Sequence, residues 1–280
     1  MALLQELVSK FLSDAPVGER ASASLSNHSR TAVIGYETGT SGKIRPFIAT
    51  TKKEGENVIF DQNCTGNLAS YLYKEDVKHL GKLAIVANVP TLRSIIRLAV
   101  EKQLKDGDFV VFATMGDGQF EELTTLAEVE GFLNGKMQEQ NEKDAEILAK
   151  LEKMTLQERW DFWQEELKKC MKCYACRQSC PMCYCTQCTV EENRPQWIPV
   201  AAHRLGNLEW HLMRAMHLVG RCVSCRQCGT ACPVNIPIHL LPMKLAIDVK
   251  EIYGTDAGLK LQEESTLSTY QPDDKEEFIG

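Results

Sequence analysis

Two cysteine runs of one spacing, CxxCxxCxxxCP, occupy positions 170–181 and 222–233 of this 280-residue chain. Three cysteines at two-residue separations wrap a turn of backbone around a cubane, and each thiolate reaches a different iron. The amide N–H groups of that turn face the sulfides and stabilise negative charge. The fourth cysteine of a run lies too far along to close the same cube and ligates the neighbouring one. The spacing therefore predicts one 4Fe–4S cluster on Cys170, Cys173, Cys176 and Cys232, and a second on Cys222, Cys225, Cys228 and Cys180. Structural zinc sites usually pair two CxxC units, and a duplicated four-cysteine run ending in Cys-Pro is hard to obtain that way.

Eleven of the twelve cysteines fall between positions 170 and 232; the other is Cys64. Subtracting the two quartets leaves Cys64, Cys183, Cys185 and Cys188. Three readings stay open for them: a third 4Fe–4S cluster, a small zinc site, or buried free thiols. A shared centre requires the loop at 63–66 to fold back onto the second half of the chain. Disulfides are disfavoured, because cysteines two residues apart bridge one another poorly and the first half is cysteine-poor. A thiol-rich centre points to a reducing cytoplasm and to anaerobic metabolism. A net charge of −6 without a basic patch speaks against nucleic acid. No apolar run approaches the ~20 residues of a membrane span, and the N-terminus lacks the marks of a signal peptide.

No catalytic constellation stands out. His203, His211, His217 and His239 lie near the runs and read as packed or surface groups, and Trp197 and Trp210 as core residues. Met115-Gly116-Asp117-Gly118 reads as a strand-to-helix turn, since it lacks the spacing of a phosphate loop.

The elements that must position the cysteines fall into an α+β arrangement. Positions 1–14 read as an amphipathic helix; 31–36, 46–50 and 57–61 as short strands; 67–75 as a short helix. The apolar run 83–88 has the composition of a strand in a parallel sheet. Pro90 opens a helix with Leu92, Ile95, Ile96 and Ala99 on one face, and 109–114 is the next strand. That βαβ unit implies an α/β domain with a parallel-type sheet over 1–135. A connector follows at 136–169, with 16 charged residues among 34. Thr155 and Glu158 form a capping box ahead of Trp160, Phe162, Trp163 and Leu167. A dicluster domain spans 170–255. In it, 41 residues separate Cys180 from Cys222 and include a helix at 207–219 with Leu208, Leu212, Ala215, Met216 and Val219 inward. An acidic tail, 256–280, carries Asp273, Asp274, Glu276 and Glu277.

The paired runs with a long helical insert resemble the α-helical ferredoxin module of succinate dehydrogenase, fumarate reductase and heterodisulfide reductase subunits. The segment Asn63 to Ala69, the stretch Lys82 to Ala87, KCMKCYACRQSCPMCYCTQC, Trp197-Ile198-Pro199 and GRCVSCRQCGTACPVNIP carry a wider resemblance. It is to the iron–sulfur β subunits of coenzyme F-420 hydrogenases and dehydrogenases, some of them formate dehydrogenase β subunits. That resemblance implies a non-catalytic electron-transfer subunit in a larger oxidoreductase complex. Its partners would be a heterodisulfide-reductase-like flavoprotein and a hydrogenase or formate dehydrogenase. The chain lacks the cysteine that relatives often carry after the strand ending in Ala87, and their glycine-rich flavin stretch. Flavin is therefore not expected. The alternative is a flavin- or deazaflavin-dependent oxidoreductase with its organic cofactor in the α/β domain.

Overall fold

The computed structural model describes residues 2–13, 31–136, 141–188 and 195–262; the acidic positions 273–277 lie outside them. Helix α1 (Ala2–Ser13) turns Leu4, Val8, Phe11 and Leu12 inward onto strand β1 (Thr31–Thr38), and Phe11 meets Phe112 edge-on at 6.0 Å. Strand β2 (Ile44–Ala49), the short helix α2 (Lys52–Gly55), a 3-10 turn (Leu68–Tyr71) and helix α3 (Glu75–Lys78) follow. Then come β3 (Lys82–Ala87), α4 (Val89–Val100), β4 (Phe109–Ala113), β5 (Glu121–Leu123) and α5 (Leu126–Leu133). The sheet order is β2-β1-β3-β4-β5. The inner pairs β1–β3 and β3–β4 are parallel, whereas both edge pairs, β1–β2 and β4–β5, are antiparallel.

The sheet is thus mixed, parallel at its centre as expected and antiparallel at both edges. Short connections explain both edges, since a tight turn can join only antiparallel neighbours. The 39–43 turn closes β1 on β2 through Gly39 N–H to Lys43 O. The Met115 to Gly118 turn leads into β5, not into a helix, with Gly116 and Gly118 both at positive φ. The expected strand at 57–61 reduces to one bridge, Ile59 to Tyr36, and the expected helix at 67–75 splits into the 3-10 turn and α3.

Beyond the sheet run α6 (Glu142–Lys153), α7 (Leu156–Leu167), α8 (Ala175–Gln178), α9 (Arg204–His217), α10 (Gln227–Thr230) and α11 (Leu240–Tyr253). The Thr155–Glu158 capping box opens α7 as its sequence requires. Among the described residues no helix is long and apolar enough to cross a membrane.

The cysteine-bearing half is not strung off the sheet on a linker. Cys180, Met182 and Leu218 belong to the same apolar core as the sheet. Asp256 and Ala257, at the start of the stretch read as a tail, dock on the buried Arg93, which donates to Ala257 O at 2.7 Å and pairs with Asp256. Glu101, just past α4, receives both Arg221 Nε and Nη2 at 2.7 Å and also Arg97 Nε at 2.8 Å.

Burial pushes the Glu101 pKa up, but Arg221 and Arg97 outweigh it and hold the carboxyl below its usual range. A depressed folded-state pKa contributes stability above the unfolded carboxyl value of ~4.3, and that stability is lost as pH falls through the folded value. Glu101→Gln is expected to cost about 2–3 kcal/mol at pH 7, the lower side of a buried pair because Arg221 is partly exposed. Urea unfolding at pH 7 and pH 3 checks this; the gap between wild type and variant should close at the lower pH.

Candidate metal centres

The two cysteine runs fold alike. In each, the residues on either side of the middle cysteine adopt the left-handed conformation without being glycine: Lys172 (φ 53°) and Tyr174 (φ 59°) around Cys173, Ser224 (φ 56°) and Arg226 (φ 63°) around Cys225. Each such residue costs on the order of 1 kcal/mol, and strain of this kind persists where surroundings impose it. Here it turns amides onto sulfur. Lys172 N–H donates to Cys170 Sγ at 3.3 Å and Ser224 N–H to Cys222 Sγ at 3.4 Å, with Ile236 N–H on Cys232 Sγ at 3.4 Å. A one-turn helix, α8 or α10, then carries the third cysteine of each run.

One cavity is walled by Cys170, Cys173, Cys176 and Cys232 together, with Trp210 and His211 behind them. Cys180, Cys225 and Cys228 lie close enough to Cys222 to raise its pKa, and Cys180 raises those of Cys225 and Cys228 as well. Burial first, and then neighbouring thiols, push Cys170, Cys222 and Cys228 up, and bring Cys176 and Cys225 to about 12. Burial thus disfavours the thiolate form of these five cysteines, and a cationic centre that draws off their protons, as iron does on ligation, offsets it. The donor set and the amide-lined turns therefore fit 4Fe–4S centres. Among the described residues no three Cys, His, Asp or Glu side chains converge where a single ion could sit. A cubane does not ask for that, since it offers a separate iron to each thiolate.

Polar groups buried with the thiols fit the same picture. Arg214 is 5% exposed, donates Nη2 to Cys176 O at 3.0 Å, and leaves Nε without a partner. Burial opposes its charge, but Cys228, Cys180, Cys183 and Cys176 around it hold the guanidinium firmly protonated. His211 has no hydrogen-bond partner on either ring nitrogen, and burial drives its pKa down to about 3, so it is a neutral donor. Asn207 ties α9 to the first run through Nδ2 to Cys170 O at 2.8 Å. Gly229 is required by its neighbour, because a Cβ there would lie 1.9 Å from His239 Nδ1.

These groups correct the expected face of α9. Leu208 and Ala215 are buried, but Leu212 and Met216 are exposed and Val219 is half-buried. The inward positions are taken by Asn207, Trp210, His211 and Arg214. Trp210 is core, whereas Trp197 is 78% exposed rather than packed.

The four leftover cysteines do not gather. Cys183, Cys185 and Cys188 line a cavity of about 250 Å³ between the tail of the first run and α9. The 63–67 loop does fold back, but onto the second run: Asn67 N–H donates to Gln227 Oε1 at 3.1 Å. Cys64 instead borders a cleft of about 960 Å³ that also touches Asn88, Thr114, Gly116 and Cys225. Burial and the adjacent Asp61 raise the Cys64 thiol to about 11, so it is a poor nucleophile.

No family model matches the chain. It is 27% identical over 148 residues to the F420-dependent formate dehydrogenase subunit beta of Methanocaldococcus jannaschii, covering 48% of this chain and 38% of that one. It is also 33% identical over 78 residues to the F420-dependent formate dehydrogenase 1 subunit beta of Methanococcus maripaludis, covering 23% and 20%. The matched stretches span well under half the length of these curated relatives.

Proposed function

Because the chain is related in sequence to β subunits of F420-dependent formate dehydrogenases, we propose that it is an electron-transfer iron–sulfur subunit of an oxidoreductase complex. In this reading it carries one 4Fe–4S cluster on Cys170, Cys173, Cys176 and Cys232 and another on Cys222, Cys225, Cys228 and Cys180. It relays electrons between a heterodisulfide-reductase-like flavoprotein and a formate dehydrogenase or hydrogenase. The observation that carries it is the cavity walled by three cysteines of the first run and the last cysteine of the second.

When bound, the clusters supply one-electron exchange by tunnelling. The protein's share is placement. The crossed fourth ligands tie the two runs into one unit. The turn amides donate to the cysteine sulfurs, and a buried cation, Arg214, lies beside thiols of both quartets. Trp210, Ile236 and Ile238 close the first site against water.

Anaerobically purified full chain is expected to hold about eight irons with matching acid-labile sulfide in these two sites, about four per cubane. Cys173→Ser and Cys225→Ser should each remove up to about four, with loss of the corresponding EPR signal on dithionite reduction. Iron below about four per wild-type chain would sink the reading.

A second reading has one observation in its favour. The cleft of about 960 Å³ opens beyond the carboxyl ends of the parallel strands β3 and β4, next to Cys225. Such crevices are where open α/β sheets take their ligands. An organic redox cofactor held there would make the chain a flavin- or deazaflavin-dependent oxidoreductase subunit. Flavin absorbance surviving subtraction of the cluster spectrum decides for it; a spectrum fully accounted for by the clusters decides for the relay.

A further inference from the structure

Cys183, Cys185 and Cys188 are the thiols that the two quartets leave over on the tail of the first run. All three line one cavity, and His217 of α9 lines it too. Three thiols and an imidazole are metal-ligating groups of the types that hold iron–sulfur centres. At about 250 Å³ the cavity has room for roughly eight waters at ~30 Å³ each, far more than a lone ion needs. The ligating groups do not converge on one point either.

Charge points the same way. Arg177, Arg214 and Arg221 all line the cavity. Arg214 is buried with its Nε unpartnered. Arg177 and Arg221 also hold the cysteine tail in place, through Cys185 O at 3.0 Å and Met182 O at 3.2 Å. Arg221 is matched by Glu101, but a lining with three guanidiniums still favours an anionic occupant over a bare cation. A cubane on three thiolates carries net negative charge and suits such a lining. The site also abuts the second quartet, because Cys183 N–H donates to Cys180 O at 3.1 Å.

We propose that Cys183, Cys185 and Cys188 bind three irons of a third 4Fe–4S cubane in this cavity, and that His217, not Cys64, faces the fourth. The proposal rests on the iron–sulfur relay reading and adds a centre to it. Ligation replaces three S–H bonds by three S–Fe bonds and releases three protons, without oxidation of the thiols.

The test uses the full chain, reconstituted anaerobically with ferrous iron and sulfide, with iron, sulfide and zinc counted per chain. About twelve irons are expected in wild type and in Cys64→Ser, and about eight in the Cys183→Ser, Cys185→Ser, Cys188→Ser triple variant. Cys185 is exposed, so the single Cys185→Ser variant keeps the test open if the triple variant does not fold; it too should fall toward eight. About eight irons in both wild type and triple variant would overturn the third cubane and leave the relay standing. One zinc per chain, lost in the triple variant, would also overturn it. Fewer than about four irons in wild type would overturn the relay itself. His217→Ala is expected to keep all twelve or so irons but to give a 3Fe–4S EPR signal on mild oxidation that wild type does not give. An oxidation response identical to wild type would remove His217 from the site.

Discussion

Replacing Arg214 by methionine is expected to lower the midpoint potentials of the bound clusters by on the order of 100 mV. A unit charge about 6 Å away at an effective dielectric of about 20 contributes roughly 3 kcal/mol, and a one-electron couple moves about 59 mV for each tenfold change in its equilibrium constant. Arg214 is the buried cation that thiols of both runs surround, Cys176 and Cys228 among them. Reduction adds an electron beside that cation, so losing the cation makes reduction harder. Methionine fills most of the volume and leaves the Cys176 carbonyl without its donor at 3.0 Å. Arg214→Lys keeps the charge and should recover most of the potential. EPR-monitored redox titration at matched iron content is the measurement. Unchanged potentials in the methionine variant would reduce Arg214 to a packing and hydrogen-bonding role.

That residue also shows where sequence reading reaches its limit. The grouping of Cys232 with Cys170, Cys173 and Cys176 around one cavity is legible because ligation would fix both residue type and spacing, and a fourth cysteine reaches only so far. The face of α9 is not legible by the same means. Apolar periodicity selects Leu208, Leu212, Ala215 and Met216, on the premise that inward means hydrophobic. Around buried thiols the premise fails, since thiolates and sulfides want donors and cations. Arg214, His211 and Asn207 are drawn inward, and Leu212 and Met216 are left outside. The same logic misplaces Trp197, whose segment is anchored by Lys172 Nζ on Pro199 O rather than by the indole.

The α/β half was more readable. The run Leu83 to Ala87 is buried throughout, and Asn88 caps α4 through Thr91 N–H at 3.2 Å with Pro90 in the first turn. The missed element, β5, is three residues long with two glutamates exposed, so it carries little apolar signal. Its pairing is decided by the short connection before it, not by its own composition. Cys64 marks a different limit. Counting cysteines grouped it with Cys183, Cys185 and Cys188, but the fold of the 63–67 loop is set by polar partners that counting does not see. Asn88 Nδ2 on Cys64 O at 3.4 Å and Asn67 N–H on Gln227 direct it to the second run.

The charged connector gives the last prediction, because its chemistry is not that of a spacer. Asp144 in the first turn of α6 is 2% exposed. Its Oδ1 takes Arg226 Nη2 at 3.1 Å and meets His239 Nε2 at 3.0 Å. Both partners shape the second run: Arg226 is the left-handed residue after Cys225, and His239 packs on Gly229. Asp144→Ala removes the acceptor that holds them. Breaking a buried pair costs about 3–5 kcal/mol, and the lower end applies because Arg226 can turn partly to water. The loss should be local. The second quartet should release its iron, while Cys170, Cys173, Cys176 and Cys232 keep theirs, so that about four irons disappear. Asp144→Asn retains an acceptor without the charge and should fall between the two. Urea unfolding together with iron counting on the same preparations reads both effects. Full iron content with wild-type stability in the alanine variant would return α6 to the role of spacer. Selective loss would make the connector a structural part of the second centre.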